Sequence, residues 1–180
     1  MRKTRRSLHG ALISLAHEKP YGSIGVKEIL DRADVARSTF YTHFGDKDEL
    51  LESGIHELIL SCHRQCRLDI GAEHVVSFSL PFLEHIQGHR HEAGHMTPTS
   101  RLVMHERLQR VLADVIVEDI QAARPGAQAT GRIPAELAAR HVASTFVLVL
   151  NWCTECEPTL TPRQVDARFR QLVLPVLANL

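Results

Sequence analysis

The side chains best suited to chemistry lie in one short run, Arg37-Ser38-Thr39-Phe40-Tyr41-Thr42-His43-Phe44. Phe40 and Phe44 sit one helical turn apart and can anchor the run to a core, which leaves Arg37, Ser38, Thr39 and Thr42 outward. A guanidinium and several hydroxyls on one face suit base edges and phosphate oxygens in a DNA major groove. An ordinary helical hairpin with a polar outer face would carry the same pattern. Just upstream, Val26, Ile29, Leu30 and Ala33 fall at i, i+3, i+4 and i+7, one apolar stripe of a short helix, and Asp34-Val35 break it. Two short helices joined by a tight turn make a helix-turn-helix.

Other reactive side chains are plentiful but form no catalytic pattern. Twelve histidines are present, and His85, His89, His91 and His95 cluster around one expected loop. Cys62 and Cys66 lie one turn apart with His63 between them, and Cys153 and Cys156 form a C-x-x-C beside Trp152. A single C-x-x-C without a second pair at zinc spacing is a weak signal. Solvated loop histidines and small apolar cysteines filling gaps are the simpler expectation, so neither a metal ligand nor a cofactor is assigned. A metal or thiol sensor built on these groups stays as an alternative. No nucleophile-base motif, phosphate loop or H-E-x-x-H pattern is present, and the expectation is a protein without catalytic residues, not an enzyme.

The elements that must hold the first run follow from periodicity and punctuation. Leu8, Ala11, Leu12 and Leu15 make the stripe of a first helix that stops near Lys19-Pro20. It should pack on Ile29, Leu30 and Phe40 as a three-helix head, with Tyr21-Gly22 as the turn between. Asp46 with Glu49 three residues later opens a long helix through Leu50, Leu51, Ile55, Leu58 and Ile59 toward Leu68, ending at Gly71. Pro81 starts or kinks a helix around Phe82, Leu83 and Ile86, and Gln87 to Pro98 reads as a loop. Leu102 to Ile120 form a long amphipathic helix that ends at Arg124-Pro125-Gly126, and Gly126 to Arg132 read as a second loop. Two helices finish the chain. Pro134 opens one in which Val142 to Cys153 are apolar nearly all round, and Thr161-Pro162-Arg163-Gln164 cap the other. A helix greasy on every side must be covered on every side, so a second copy of the chain is expected over these two helices, at Val142, Phe146, Val149, Phe169, Val173 and Val176.

Composition sets the wider limits. At 180 residues and 44% hydrophobic the chain can bury a sizeable core. No apolar run approaches the roughly 20 residues needed to span a bilayer, and no signal-peptide core follows the basic start, so no membrane association is expected and a cytoplasmic location is. Four cysteines fit a reducing compartment as thiols. Net charge is zero but unevenly placed: residues 1–47 carry nine Lys or Arg against five acids (+4), and residues 48–180 carry twelve against sixteen (−4). A basic head on an acidic body fits a local DNA-binding module. Arg2, Lys3, Arg5 and Arg6 ahead of the first helix are either a solvated terminus or an arm attracted to the phosphate backbone.

VKEILDRADV followed by ARSTFYTHFGDKDELL resembles the TetR family of bacterial transcriptional regulators, over roughly Arg5 to Leu51. The most specific part is Phe40-Tyr41-x-His43-Phe44-x-Asp46-Lys47. Three positions depart from the family's pattern: Gly25 stands for a capping threonine, Asp34 for a turn glycine and Ala36 for a capping serine. Asp is among the few residues that accept a left-handed backbone, and losing the serine cap should cost about 1 kcal/mol. The resemblance implies an all-α fold, with a helix-turn-helix DNA-binding domain at 1–47 and an effector-binding and dimerisation domain at 48–180. It implies a homodimer that binds a double-stranded DNA operator, first of all as a ligand-responsive repressor. Arg37, Ser38 and Thr39 would face bases, while Lys27, Tyr41, Thr42, His43 and Lys47 complete the DNA contacts. An unknown small-molecule effector would meet His63 and Arg67 on the connecting helix and Phe82, Met104, Leu108 and Trp152 in the body. The alternative is a body that receives a protein partner, with the regulator acting as a co-activator.

Overall fold

The computed structural model describes residues 2–65, 71–89, 96–123 and 133–178. Among them, nine α-helices and one 3₁₀ turn follow in order, and no strand occurs. The chain divides into two compact units, residues 1–55 with 89–107 and residues 56–88 with 108–180. The expected loop at 126–132, together with Cys66, Arg67, Leu68, His91 and His95, lies outside the described residues.

In the first unit, α1 (Arg2–Glu18) turns Leu8, Ala11, Leu12 and Leu15 inward and stops ahead of Pro20. A 3₁₀ turn at Tyr21–Ser23 leads to α2 (Val26–Ala33). Gly25 is the N-cap of α2; it has no side chain to accept a bond, and instead its own N–H donates to Glu28 Oε2 at 2.9 Å. That satisfies one of the end groups a helix leaves open. At the other end Asp34 takes φ 53° and ψ 51°, the left-handed cap expected of it, and its N–H donates to the Leu30 carbonyl. Next comes α3 (Arg37–Tyr41), shorter than the sequence pattern implies, because Thr42 and His43 already form a turn. Leu8, Leu12, Ile29, Phe40 and Leu50 are almost wholly buried here, and Val103 and Met104 pack against the same cluster. Each large side chain so buried stabilises the unit by roughly 1.5–3 kcal/mol.

α4 (Lys47–Gln65) begins in the first unit and ends in the second. Asp46 caps it by accepting from the Glu49 N–H at 2.8 Å, and Glu49 reaches back to accept from the Gly45 N–H at 2.6 Å. Asp46 caps as expected, while Glu49 reaches one residue further back than a reciprocal capping box would.

The second unit is built around four phenylalanines. Phe78 meets Phe146 edge-on at 5.0 Å, and Phe146 meets Phe82 at 5.4 Å and Phe169 at 5.2 Å. Edge-to-face pairs at such spacings add about 0.5–1.5 kcal/mol each beyond their buried area. They bring together the turn after α5 (Ala72–Val75), α6 (Ser79–His89), α8 (Ala135–Glu155) and α9 (Pro162–Leu177). Pro81 falls in the first turn of α6, where its missing N–H forfeits no helical bond. The loop expected from Gln87 begins later: α6 continues through Gln87 and Gly88 to His89. These residues are exposed, and one glycine costs a helix only about 1 kcal/mol. α7 (Pro98–Ala123) then runs as one long helix. Pro134 is the N-cap of α8, one position ahead of its expected place. Thr161 and Gln164 cap α9 reciprocally, with Pro162 at its start.

Candidate nucleic-acid interface

The helix-turn-helix owes its outer face to what it buries. Phe40 and Phe44 are both buried, their rings 5.7 Å apart, so α3 can lie on the head core in only one rotation. That rotation leaves Arg37, Ser38, Tyr41 and Thr42 exposed, with Thr39 and His43 half-buried at the margins. Lys27 is exposed on α2. The Arg37 guanidinium lies over the Tyr41 ring at 5.5 Å, and Thr42 Oγ1 donates to the Ser38 carbonyl at 2.9 Å. Arg37 therefore stands over a flat aromatic support that holds its planar fork at the surface.

Lys47 is placed differently from its neighbours. Its ammonium donates to the carbonyls of Tyr21 at 2.9 Å and Ile24 at 2.8 Å, and sits 4.7 Å from the centre of the Tyr21 ring. The Tyr21 hydroxyl in turn donates to Asp48 Oδ1 at 2.6 Å, and burial followed by that bond pushes the phenol well above its ordinary pKa. Arg107 closes the set with Asp48 at 3.1 Å and Glu52 at 2.5 Å. Lys47 thus ties the start of α4 to the loop before α2, a job that its place in the motif does not disclose. Arg5 belongs to the same unit: its guanidinium lies over Phe44 at 5.2 Å and donates to Ser53 Oγ at 2.6 Å. Gly54 has a packing role here, since a Cβ at that position would meet the His9 ring at 3.2 Å.

The residues expected to line an effector pocket have varied surroundings. His63, Phe82 and Leu108 are buried in the second unit, and Met104 packs on the core of the first. Trp152 is 36% exposed with the Arg168 guanidinium 5.8 Å above its ring. The residues expected at a dimer interface mostly turn inward. Val142, Phe146, Val149, Phe169 and Val173 are buried inside the chain's own second unit, and Val176 is half-buried. The apolar side chains that do face outward are Leu137 (59%), Leu148 (63%) and Trp152 on α8 and Leu172 (53%) on α9. Leu137, Leu148 and Trp152 recur at helical spacing, and that spacing was open to reading in the sequence once the inward face was known.

Residues 10–53 match the family model of bacterial regulatory proteins of the tetR family. The chain is 35% identical over 84 residues to an HTH-type transcriptional regulator of Haemophilus influenzae, covering 43% of this chain and 40% of that protein. It is also 35% identical over 54 residues to the HTH-type regulator YxbF of Bacillus subtilis, 29% of this chain and 14% of that protein. The chain thus spans less than half the length of the curated relatives it matches. In fold it is similar to a TetR transcriptional regulator from Rhodococcus sp. RHA1, with a TM-score of 0.59 at 16% identity over 98% of both chains. The helix-turn-helix built as described thus lies within residues 10–53, the part of the chain that matches the tetR family of bacterial regulatory proteins.

Proposed function

We propose that the chain is a DNA-binding transcriptional regulator of the cytoplasm, acting as a homodimer and repressing by default. The observation that carries this reading is the outer face of α3, where Arg37, Ser38, Tyr41 and Thr42 stand exposed above the buried Phe40. Arg37, Ser38 and Thr39 read base edges in the major groove. Lys27, Tyr41, Thr42 and His43 hold phosphates. Lys47 acts chiefly by fixing the turn before α2 and adds its positive charge to the same surface. A second copy covers Leu137, Leu148, Trp152 and Leu172, a patch of four large apolar side chains on two adjoining helices. Effector binding in the second unit reaches the head along α4, an unbroken helix from Lys47 to Gln65. Only contacts that differ between two positions of that helix can shift its equilibrium.

Selection from a pool of random duplexes tests this reading. The expected product is a two-fold symmetric site whose half-sites are spaced by about one helical turn, ~34 Å, or a multiple of it. Recovery of unenriched, random sequence would overturn it.

A further inference from the structure

Three ionisable side chains from three helices converge within the second unit. α4 supplies His63, α5 supplies His74 and α7 supplies Asp119. His63 Nδ1 lies 3.8 Å from Asp119 Oδ2, and His74 Nε2 lies 3.7 Å from Asp119 Oδ1. One candidate ligand atom from each residue lies within 4.8 Å of the other two. These separations are too long for hydrogen bonds. A tetrahedral ion with bonds near 2.0–2.1 Å sets its ligand atoms about 3.3 Å apart, so side-chain movements of ~1 Å would close the set around one.

The site is also built, and it has unfilled valences. His63 is only 9% exposed; its ring stacks on Phe78 at 5.6 Å, stands edge-on to His74 at 5.4 Å and has Ser77 Oγ 3.4 Å from Nδ1. Its Nε2 and Asp119 Oδ2 are buried with no hydrogen-bond partner among the described residues. A buried carboxylate oxygen left open is unfavourable, and a cation beside Asp119 would turn Oδ2 into a ligand. Two imidazoles and one carboxylate suit a borderline divalent ion far better than Ca²⁺ or Mg²⁺, which prefer all-oxygen shells.

We propose that His63, His74 and Asp119 form a binding site for a divalent transition-metal ion, Zn²⁺ foremost, that ties α4, α5 and α7 together within the second unit. Three protein ligands leave a fourth position open to water or to a small anionic ligand. The metal would fasten the second half of the helix whose first half belongs to the head. That regulatory consequence rests on the reading of the chain as a DNA-binding regulator, whereas metal binding does not.

The test uses the full chain stripped of metal, then titrated with Zn²⁺ against a chromophoric chelator and with Co²⁺ for its visible absorption. Wild type should take up one equivalent of Zn²⁺ per chain and give the intense bands of four-coordinate Co²⁺. Asp119→Asn, which preserves volume, and His74→Ala, at a half-buried position, should each weaken Zn²⁺ at least ~10-fold with helical circular dichroism retained. Cys153→Ser with Cys156→Ser should bind as wild type does. A wild type that takes up no Zn²⁺, or Asp119→Asn and His74→Ala variants that bind as tightly as wild type, would overturn the site. DNA affinity measured with and without Zn²⁺ separates the two claims: Zn²⁺ uptake with unchanged DNA affinity confirms the site and removes its role as a regulatory input.

Discussion

The two units solve the same problem, a stable helical core in a chain of 180 residues, by different means. The first carries local devices that close helix ends, Glu28 on the Gly25 N–H and Asp46 on the Glu49 N–H, and one longer tie, Lys47 on the carbonyls of Tyr21 and Ile24. The second is held by aromatic side chains far apart in sequence, Phe78, Phe82, Phe146 and Phe169, and by Arg170, which bonds Asp166 at 2.8 Å and Glu73 at 2.5 Å. Caps and turns fix backbone direction, so they suit a surface whose exposed side chains must be aimed. A packed aromatic core specifies shape with little direction of its own, so it suits a unit whose inner lining can vary.

The sharpest way to break this contrast is to empty one core at a time. Phe146→Ala should destabilise the second unit by about 3–5 kcal/mol, and Phe40→Ala should do the same to the first. Hydrogen exchange should then rise in α6, α8 and α9 for Phe146→Ala and in α1 to α3 for Phe40→Ala. Equal rises in all helices for both variants would mean that the units unfold together.

A surface substitution makes the next largest effect. Leu148→Glu, at a position 63% exposed, should leave the fold intact and weaken self-association by roughly 2 kcal/mol or more, about 30-fold. Phe169→Glu, at a fully buried position, should unfold the unit instead, because a buried charge without a partner is costly. Sedimentation of both variants checks the difference. Leu148→Glu that sediments as wild type does would place the interface elsewhere.

The smallest effect belongs to the turn. Asp34→Gly should raise the stability of the first unit by roughly 0.5–1 kcal/mol, since glycine takes the left-handed backbone without a side-chain penalty. Denaturant titration reads it, and a loss of stability would show that the Asp34 side chain contributes more than its backbone strain removes.

The same contrast explains what could be read in advance. Helix ends in the head were legible because proline, glycine and acidic caps act over three or four residues: Pro20, Gly25, Asp34 and Asp46 all stand where their chemistry places them. In the body, the reciprocal cap at Thr161 and Gln164 was legible for the same reason. The inward face of α8 was not. Val142, Phe146 and Val149 alternate with Leu148 and Trp152 in a helix apolar on most sides, so periodicity alone gives no direction. Lys47 was legible as a cation but not as a donor to carbonyls more than twenty residues back, which only the folded head brings near. His63, His74 and Asp119 lie on three helices with no motif spacing, unlike the loop histidines and the cysteine pairs, which stand close in sequence.

The central claim, that α3 reads sequence through its exposed face, is tested most directly by Arg37→Ala. Binding of wild type and variant should be measured on the selected duplex and on random duplex at one salt concentration. The account predicts a loss of roughly 1–3 kcal/mol on the selected site with a much smaller change on random DNA. Equal losses on both, or none on either, would contradict it.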